Sequence, residues 1–385
     1  MPRGRTERFR DIQPFGIDQV AAAAGDAEDI LRMENLDTDV PPPPAAITAT
    51  RDAVGTDEAN SWLPFTGLAP LREVVAERLQ NETGRAYDPL REVVISSGGL
   101  PATLSAMLAT LDAGDRVVLT DPTYAGLIGR VRLAGARPVF VPLVATNGRW
   151  RLDLERFAAA VTADTRAAVL MSPSMPSGHV FNPEEWQAVA DALERADAWL
   201  LYDAGMDQIL FDGIAPFHPA SLPSLRDRTI TLGGVSKNYR MIGWRVGWAA
   251  GPAEAMGDVA IASIYNTTVT SGFAQLGAHA ALTTSDQGVR EAVIEWQTRR
   301  DLILRELEGL PTVSPDGGWS LLLDATELGL DAPALSAALL ERGRIAATPM
   351  TAWGETVAPR NVRFVYSNEP IRRLRGIGER VRAAM

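Results

Sequence analysis

The chain has 385 residues, 46% of them hydrophobic, and a formal net charge of −11 at pH 7. This size allows a sizeable core shared between two lobes. The acidic balance argues against nucleic acid or an anionic membrane as a partner. The lack of cysteine excludes disulfides and a thiol nucleophile, and it fits a cytoplasmic location. The three histidines lie far apart without ligand spacing, so no metal site is predicted.

Short apolar runs alternate with amphipathic stretches through the middle of the chain. The amphipathic stretches predict helices at 100–111, 124–133 and 183–196. The apolar runs predict strands at 93–96, 116–120, 138–143, 167–171, 199–202, 229–232 and 246–250. Runs this apolar suit strands that are buried on both faces. The alternation predicts an α/β fold, with a mostly parallel central sheet flanked by helices.

The two ends of the chain have a different character. The first 44 residues hold few periodic elements and finish in four prolines, which form a stiff break. Near the other end, helices are predicted at about 285–308 and 370–385, and strands at 319–323 and 362–366. We therefore predict a large domain over 46–275. A smaller α+β domain is expected from both termini, with 1–45 as one part and 276–385, including a long connecting helix, as the other.

One short run carries two groups that suit the same cofactor. Segment 233–248 reads Gly-Gly-Val-Ser-Lys-Asn-Tyr-Arg-Met-Ile-Gly-Trp-Arg-Val-Gly-Trp, with Lys237 eight residues before Arg245. An amine can form a Schiff base with an aldehyde, and a guanidinium can hold a phosphate through a bidentate fork. Pyridoxal 5′-phosphate (PLP) carries both groups. A Ser-Lys pair alone is no signal, so the interpretation depends on the rest of the chain.

Two features at predicted strand ends fit the same cofactor. Gly98, Gly99 and Leu100 lie at a strand-to-helix junction, where close backbone approach and a helix amino end suit a phosphate. A plain tight turn is an equally good interpretation. Asp203 follows the strand at 199–202, where a carboxylate needs a partner such as a protonated pyridine nitrogen. A helix N-cap is the simpler alternative.

Two more side chains complete the pattern. Tyr124 follows another predicted strand and could stack on a flat ring, or serve only in packing. Arg363 lies inside an apolar strand, where a guanidinium needs an anion. That anion is either a substrate carboxylate or the partner in a structural ion pair.

Taken in chain order, these features resemble the class I/II aminotransferases, the fold type I PLP enzymes related to aspartate aminotransferase. The likeness extends from about residue 15 to the end. Segment 62–73, Trp-Leu-Pro-Phe-Thr-Gly-Leu-Ala-Pro-Leu-Arg-Glu, is similar to the family's Tyr-x-x-x-x-Gly-x-x-x-Leu-Arg-Glu. Segment 111–115 matches its Leu-x-x-Gly-Asp turn. The lysine segment at 236–247 matches most closely and is highly specific.

The resemblance implies a role for each candidate residue. Lys237 would hold PLP as a Schiff base and then act as the proton-transfer base, while Asp203 would pair with the pyridine nitrogen. Tyr124 would stack on the ring. Arg245 and the backbone amides of 98–100 would bind the phosphate. Arg363 would bind the α-carboxylate of the substrate, in a homodimer whose active sites lie at the subunit interface.

The chain also departs from the family pattern. Met175 replaces the asparagine, and Met206 the tyrosine, that donate hydrogen bonds to the phenolic oxygen of the cofactor. Gly234 replaces a phosphate-binding serine. Trp62 replaces the tyrosine that reaches the neighbouring subunit's phosphate. Glu34 replaces a glycine near the substrate, where it would either pair with a cationic side chain or face the surface.

The two methionines affect the expected chemistry of the cofactor. A phenolate that loses hydrogen bonds becomes more basic, so the Schiff base at Lys237 should have a raised pKa. The alternative is that Tyr239 or a water replaces the lost donors.

Three functions are compatible with this sequence. The first is transamination between an α-amino acid and a 2-oxo acid, the common activity of the family. The second is a PLP-dependent synthase, cyclase or oxidase acting at Cα, Cβ or Cγ of an amino acid, including a cationic one. The third is a regulatory or binding module on the same fold. The retained Lys237, Asp203 and Arg245 argue against the third.

Overall fold

The structure is a computed structural model that describes residues 4, 6–14, 16–284 and 288–385. Within these ranges the helices are α1 (Glu7–Arg10), α2 (Gly16–Ala24), α3 (Pro44–Val54), α4 (Asp57–Asn60), α5 (Ala69–Thr83), α6 (Gly99–Thr110), α7 (Ala125–Leu133), α8 (Leu154–Ala160), α9 (Pro183–Ala196), α10 (Ala253–Thr267), α11 (Gly272–Thr283), α12 (Val289–Glu306), α13 (Ala332–Glu341), α14 (Ile371–Leu374) and α15 (Ile377–Ala384). The strands are β1 (Leu31–Arg32), β2 (Val93–Ser96), β3 (Arg116–Asp121), β4 (Arg137–Thr146), β5 (Arg149–Leu152), β6 (Thr165–Met171), β7 (Trp199–Asp203), β8 (Thr229–Gly234), β9 (Gly247–Ala250), β10 (Thr312–Val313), β11 (Ser320–Asp324), β12 (Ile345–Ala346), β13 (Thr348–Pro349) and β14 (Asn361–Val365).

The central sheet has the strand order β2-β9-β8-β7-β6-β3-β4-β5. Strands β8, β7, β6, β3 and β4 run parallel to one another. Strand β9 is antiparallel to both of its neighbours, and β5 forms a hairpin with β4. All residues of β2, β8 and β9 are buried, as their apolar runs predict for a sheet covered on both faces. The predicted α/β architecture is confirmed.

Helix α9 shows why some boundaries were predictable. Asn182 accepts a hydrogen bond from the Glu185 amide, and the Glu185 carboxylate accepts one from the Asn182 amide, which forms a capping box. Pro183 occupies the first turn, where its missing N–H is not needed. Asp197 then ends the helix in a left-handed conformation. The observed bounds, Pro183–Ala196, are those predicted.

A second, smaller sheet has the strand order β10-β11-β14-β13 and is antiparallel. Its core combines residues from distant parts of the chain. Leu31 and Met33 from the N-terminal segment pack with Trp296 of α12 and with Leu323 and Phe364 of the sheet. Strand β1 pairs with β12, which joins the two ends of the chain directly. In the described part of the chain, no helix is both long enough and apolar enough to cross a bilayer.

Several elements differ from the prediction. The closing helix is divided into α14 and α15, because Gly376 adopts φ +79° between them. The connecting helix is observed as α12, and residues 285–287 of its predicted start lie outside the described residues. Helix α10 was not predicted. Its four alanines and one glycine blur the apolar periodicity that marks a helix.

Candidate active site

Five of the candidate residues lie at one edge of the central sheet. Strands β2, β3, β6, β7 and β8 all end at this edge, and the antiparallel strand β9 begins there. In α/β proteins, ligands bind at the carboxyl ends of the parallel strands. The loops after β2, β3 and β8 therefore bring Gly98, Tyr124 and Lys237 to a common edge, and Asp203 reaches it at the end of β7. Arg245 precedes β9 and reaches the same edge from the opposite direction.

The side chain of Lys237 is half-buried, and its amine lies between a backbone carbonyl and an aromatic ring. Its Nζ donates to the carbonyl oxygen of Leu36 at 2.8 Å and lies 4.7 Å from the centre of the Trp319 ring. Burial lowers the pKa of this amine to about 7; Asp37 opposes the shift, and Arg245 and Arg363 add to it. A large share of the amine is therefore neutral near pH 7. A neutral amine is the form that can attack an aldehyde.

Asp203 terminates β7 with few partners for its charge. Its Oδ1 accepts a hydrogen bond from the Gly205 amide at 2.9 Å. Burial raises the pKa of this carboxyl to about 6, against the opposing effect of that backbone hydrogen bond. A carboxylate whose pKa is raised in this way is stabilised by a nearby cation. A protonated pyridine nitrogen meets that need, so Asp203 fits the role that the resemblance implies.

The loop after β2 forms a cup with Arg245. Gly98 has φ +108°, and a Cβ at this position would lie only 2.6 Å from Nη2 of Arg245. A Cβ on Gly247 would lie 2.5 Å from the Gly99 nitrogen. Glycine at both positions thus lets the guanidinium approach the amino end of α6. The Nη1 atom of Arg245 donates to the Ile242 carbonyl at 2.8 Å, which leaves capacity for an anion.

Arg363 is fully buried on β14 and has mostly neutral neighbours. Its Nη2 donates to the backbone oxygen of Glu34, and its Nη1 lies 3.7 Å from the sulfur of Met175. The guanidinium carbon is 4.7 Å from the centre of the Trp353 ring. The Nε atom is buried without a hydrogen-bond partner, and burial lowers the pKa of Arg363 to about 10. An incoming carboxylate would satisfy this guanidinium.

Tyr124 connects the cofactor side of the site to this arginine. Its ring meets Trp353 edge to face, with centroids 5.3 Å apart. Burial raises the pKa of Tyr124, while Arg130, Arg363 and Arg245 act to lower it. These interactions show that the predicted aromatic residue shares one electrostatic environment with the candidate phosphate and carboxylate sites.

The two methionines occupy different surroundings. Met175 is buried beside Arg363, whereas Met206 belongs to the hydrophobic core of the smaller sheet. The hydroxyl of Tyr239 accepts a hydrogen bond from Arg78 at 2.9 Å, and both side chains line a separate cleft of about 960 Å³. Tyr239 is therefore a poor replacement for the hydrogen-bond donors that the family places near the cofactor.

The other two substrate-binding candidates, Glu34 and Trp62, differ in their exposure. Glu34 is fully buried, so the interpretation as a surface glutamate is wrong. Its Oε1 forms an ion pair with Arg32 at 2.6 Å and accepts from Asn35, while Oε2 has no hydrogen-bond partner. Trp62 is 80% exposed and packs edge to face on Phe65. The single chain therefore does not bring Trp62 to Lys237.

Sequence reasoning missed three contributors to this region. Trp319 and Trp353 flank Lys237 and Arg363, and Asp121 anchors the segment that carries Trp353. None of them stands out in the sequence. One available signal was overlooked, because Lys237 is the only lysine in the 385 residues.

Comparisons with known proteins identify the family to which the chain belongs. The family model "Aminotransferase class I and II" matches residues 31–376. Arginine–pyruvate transaminase from Pseudomonas aeruginosa is 33% identical over 352 residues, covering 90% of this chain and 88% of that protein. Aspartate aminotransferase from Rhizobium meliloti is 31% identical over 365 residues, covering 89% and 88%.

Solved structures show the same similarity. N-succinyldiaminopimelate aminotransferase from Mycobacterium tuberculosis superposes with a TM-score of 0.93 at 29% identity, covering 99% of this chain and 100% of that one. Aspartate aminotransferase from Thermus thermophilus with maleate gives 0.91 at 30% identity, with both chains fully covered. The chain therefore belongs to the class I and II aminotransferases, and it is a PLP-dependent enzyme of fold type I.

Proposed function

We propose that this aminotransferase holds PLP on Lys237 and exchanges the amino group of an α-amino acid with a 2-oxo acid. Asp203 would pair with the ring nitrogen, and Tyr124 would lie against the ring. Arg245 and the amides of 98–100 would take the phosphate. The bound cofactor supplies an electron sink that makes the α-proton of the substrate acidic. The observation that carries the proposal is the chain's only lysine, half-buried near the candidate phosphate and carboxylate sites, with a lowered pKa.

The protein residues have separate tasks in this scheme. Lys237 moves a proton at the substrate's Cα, which its lowered pKa allows near neutral pH. Arg363 orients the substrate through the carboxylate. Trp319 and Met175 add apolar walls that limit access of water. A contact between Met206 and the cofactor remains a prediction.

The domain division is also a proposal. We propose a large domain over 46–275 that provides the sheet edge, and a smaller one from 1–45 and 276–385 that provides Arg363. The shared core of β1, α12 and the smaller sheet supports this division. A cytoplasmic location fits the lack of cysteine.

The single lysine allows a direct test of the attachment site. We expect borohydride reduction of the holoenzyme to fix one cofactor per chain, on the peptide that contains Lys237. Lys237→Ala should show no visible absorbance from bound cofactor and no transaminase activity. Mass spectrometry and absorbance check both points, with unreduced protein as the control. Cofactor fixed to Lys237→Ala would contradict the proposal.

The role of Arg363 predicts a selective loss of binding. Arg363→Lys replaces a bidentate donor with a single ammonium, so KM for both the amino acid and the oxo acid should rise roughly 100-fold. A primary amine that lacks the carboxylate should react as with the unmodified enzyme. Arg360→Lys, an exposed arginine near the start of the same strand, is the control and should leave KM unchanged. Equal losses with the amine would refute carboxylate binding by Arg363.

Glu34 leads to a proposal about the amino acid itself. Its Oε2 is buried without a hydrogen-bond partner, although Oε1 is already paired with Arg32. Relatives include an arginine–pyruvate transaminase. We propose that a cationic side chain such as that of arginine donates to this oxygen.

A substrate panel tests this choice of amino acid. Glu34→Gln should raise KM for arginine roughly tenfold and leave KM for neutral amino acids unchanged. Glu369→Gln is the matched control, because Glu369 is also buried and also bonded to Arg32, through its backbone amide. Equal effects on cationic and neutral amino acids would remove Glu34 from substrate recognition.

We further propose a homodimer with Trp62 at its interface. Trp62 and Tyr265 are 80% and 89% exposed, and large exposed aromatic side chains mark interaction surfaces. Tyr265 lies close in the chain to the 270–272 segment, where Thr270 contacts Ser97 beside the phosphate cup. Gly272 of that segment packs closely on α4, and Trp62 follows α4 by two residues. A partner covering this surface would reach the cofactor phosphate.

If this surface is the dimer interface, placing a charged residue in it should convert the dimer to a monomer. The unmodified enzyme should sediment as a dimer, and Tyr265→Asp should sediment as a monomer with weaker cofactor binding. Ile294→Asp, at an exposed position on α12, should remain dimeric. Monomeric behaviour of the unmodified enzyme would refute the interface.

A further inference from the structure

The carboxylate of Asp121 binds a distant segment of the chain through an unusually complete set of hydrogen bonds. Asp121 is the last residue of β3 and is fully buried. Its Oδ2 accepts from the amides of Glu355, Thr356 and Val357 at 3.0, 2.6 and 3.1 Å, and from the Thr356 hydroxyl at 2.9 Å. Its Oδ1 accepts from the Ala358 amide at 2.9 Å. Four consecutive backbone N–H groups thus converge on one side chain.

This contact joins the central sheet to the segment between β13 and β14. The backbone oxygen of Trp353 also accepts from the Thr123 amide at 2.9 Å, so the segment is held at two points. Gly354 lies so close that a Cβ there would overlap the Asp121 carboxylate. These contacts fix the position of the segment relative to the Asp121 carboxylate, so the segment has little freedom to rearrange.

The anchored segment places the buried ring of Trp353 against Arg363, the proposed binding residue for the substrate carboxylate. The Trp353 indole is 1% exposed, and its centre lies 4.7 Å from the guanidinium carbon of Arg363. The same ring meets the edge of Tyr124, which follows Asp121 by three residues. A desolvated guanidinium over an aromatic face gains a cation–π interaction and is held in a defined plane. Asp121 is thus linked, through the position of Trp353, to the orientation of the Arg363 guanidinium.

We propose that Asp121 is a positioning residue for substrate binding, which fixes the 353–358 segment so that Trp353 holds Arg363 ready for the substrate carboxylate. This inference rests on the proposed role of Arg363. It also explains why the position needs a full carboxylate. An amide of the same shape would offer an NH₂ group to backbone N–H donors and leave some of them unsatisfied.

The test is a double-mutant cycle on the holoenzyme. Asp121→Asn, Arg363→Lys and the double variant are compared for KM and kcat, with an amino acid and with the matching amine that lacks the carboxylate. Asp121→Asn should raise KM for the amino acid roughly tenfold and change kcat less than about threefold. Reaction of the amine and cofactor absorbance should stay unchanged. The double variant should be no worse than Arg363→Lys alone, because the two residues act through one contact.

Glu185→Gln is the matched control. Glu185 is also buried and also accepts two backbone amides, from Leu152 and Asn182, but it lies at the start of α9. It should lower the unfolding temperature without changing KM. If Asp121→Asn does not fold, Thr356→Val removes one of the five donors and should raise KM in the same direction by a smaller factor.

The outcomes separate this inference from the function on which it rests. If Arg363→Lys leaves KM unchanged, the proposed role of Arg363 fails. If Arg363→Lys raises KM but Asp121→Asn and Thr356→Val do not, the positioning role of Asp121 is wrong. Additive losses in the double variant, or equal losses with the amine, would also overturn it, since both would show that Asp121 acts independently of Arg363.

Discussion

Desolvation of the Lys237 amine is the physical constraint on which the site depends. A charged ammonium is costly where burial is combined with two nearby guanidinium groups, so the pKa of Lys237 falls to about 7. The same surroundings favour anions, because Arg245 and Arg363 add positive charge to the site. A cofactor phosphate and a substrate carboxylate would both relieve this imbalance. Structural arginines such as Arg300, which is buried and paired with Asp212 at 2.7 Å, have no such need.

The fold brings these groups together by its topology. Parallel strands deliver Asp203 and Lys237 to one edge, and the reversed strand β9 returns Arg245 to that edge. The close approach of β9 to the loop after β2 depends on glycine at 98 and 247, where a side chain would overlap neighbouring atoms. The smaller sheet then contributes Arg363 from β14. The candidate site thus combines residues from both sheets, and the hydrogen bonds to Asp121 connect the central sheet to the segment before β14.

The sequence was most informative where a local pattern had a local physical cause. The amphipathic stretch of α9 and the apolar run of β2 predicted their bounds correctly. The lysine segment predicted the family, which the comparisons confirm. Contacts between distant parts of the chain could not be read in this way. The Asp121 carboxylate bonds to residues more than 230 positions away, and nothing near it in the sequence indicates that. The sequence also left open whether Glu34 is buried or exposed; the structure shows it buried, with its charge paired with Arg32.

The state of the Lys237 amine tests the central claim most directly. Because the chain has one lysine, protein labelled with ¹³C at the lysine Cε should give a single resonance, free of overlap. In the cofactor-free protein, this resonance should titrate with a midpoint near pH 7, well below the usual 10.5. A midpoint near 10.5 would show a solvated surface amine and would contradict the account of the site.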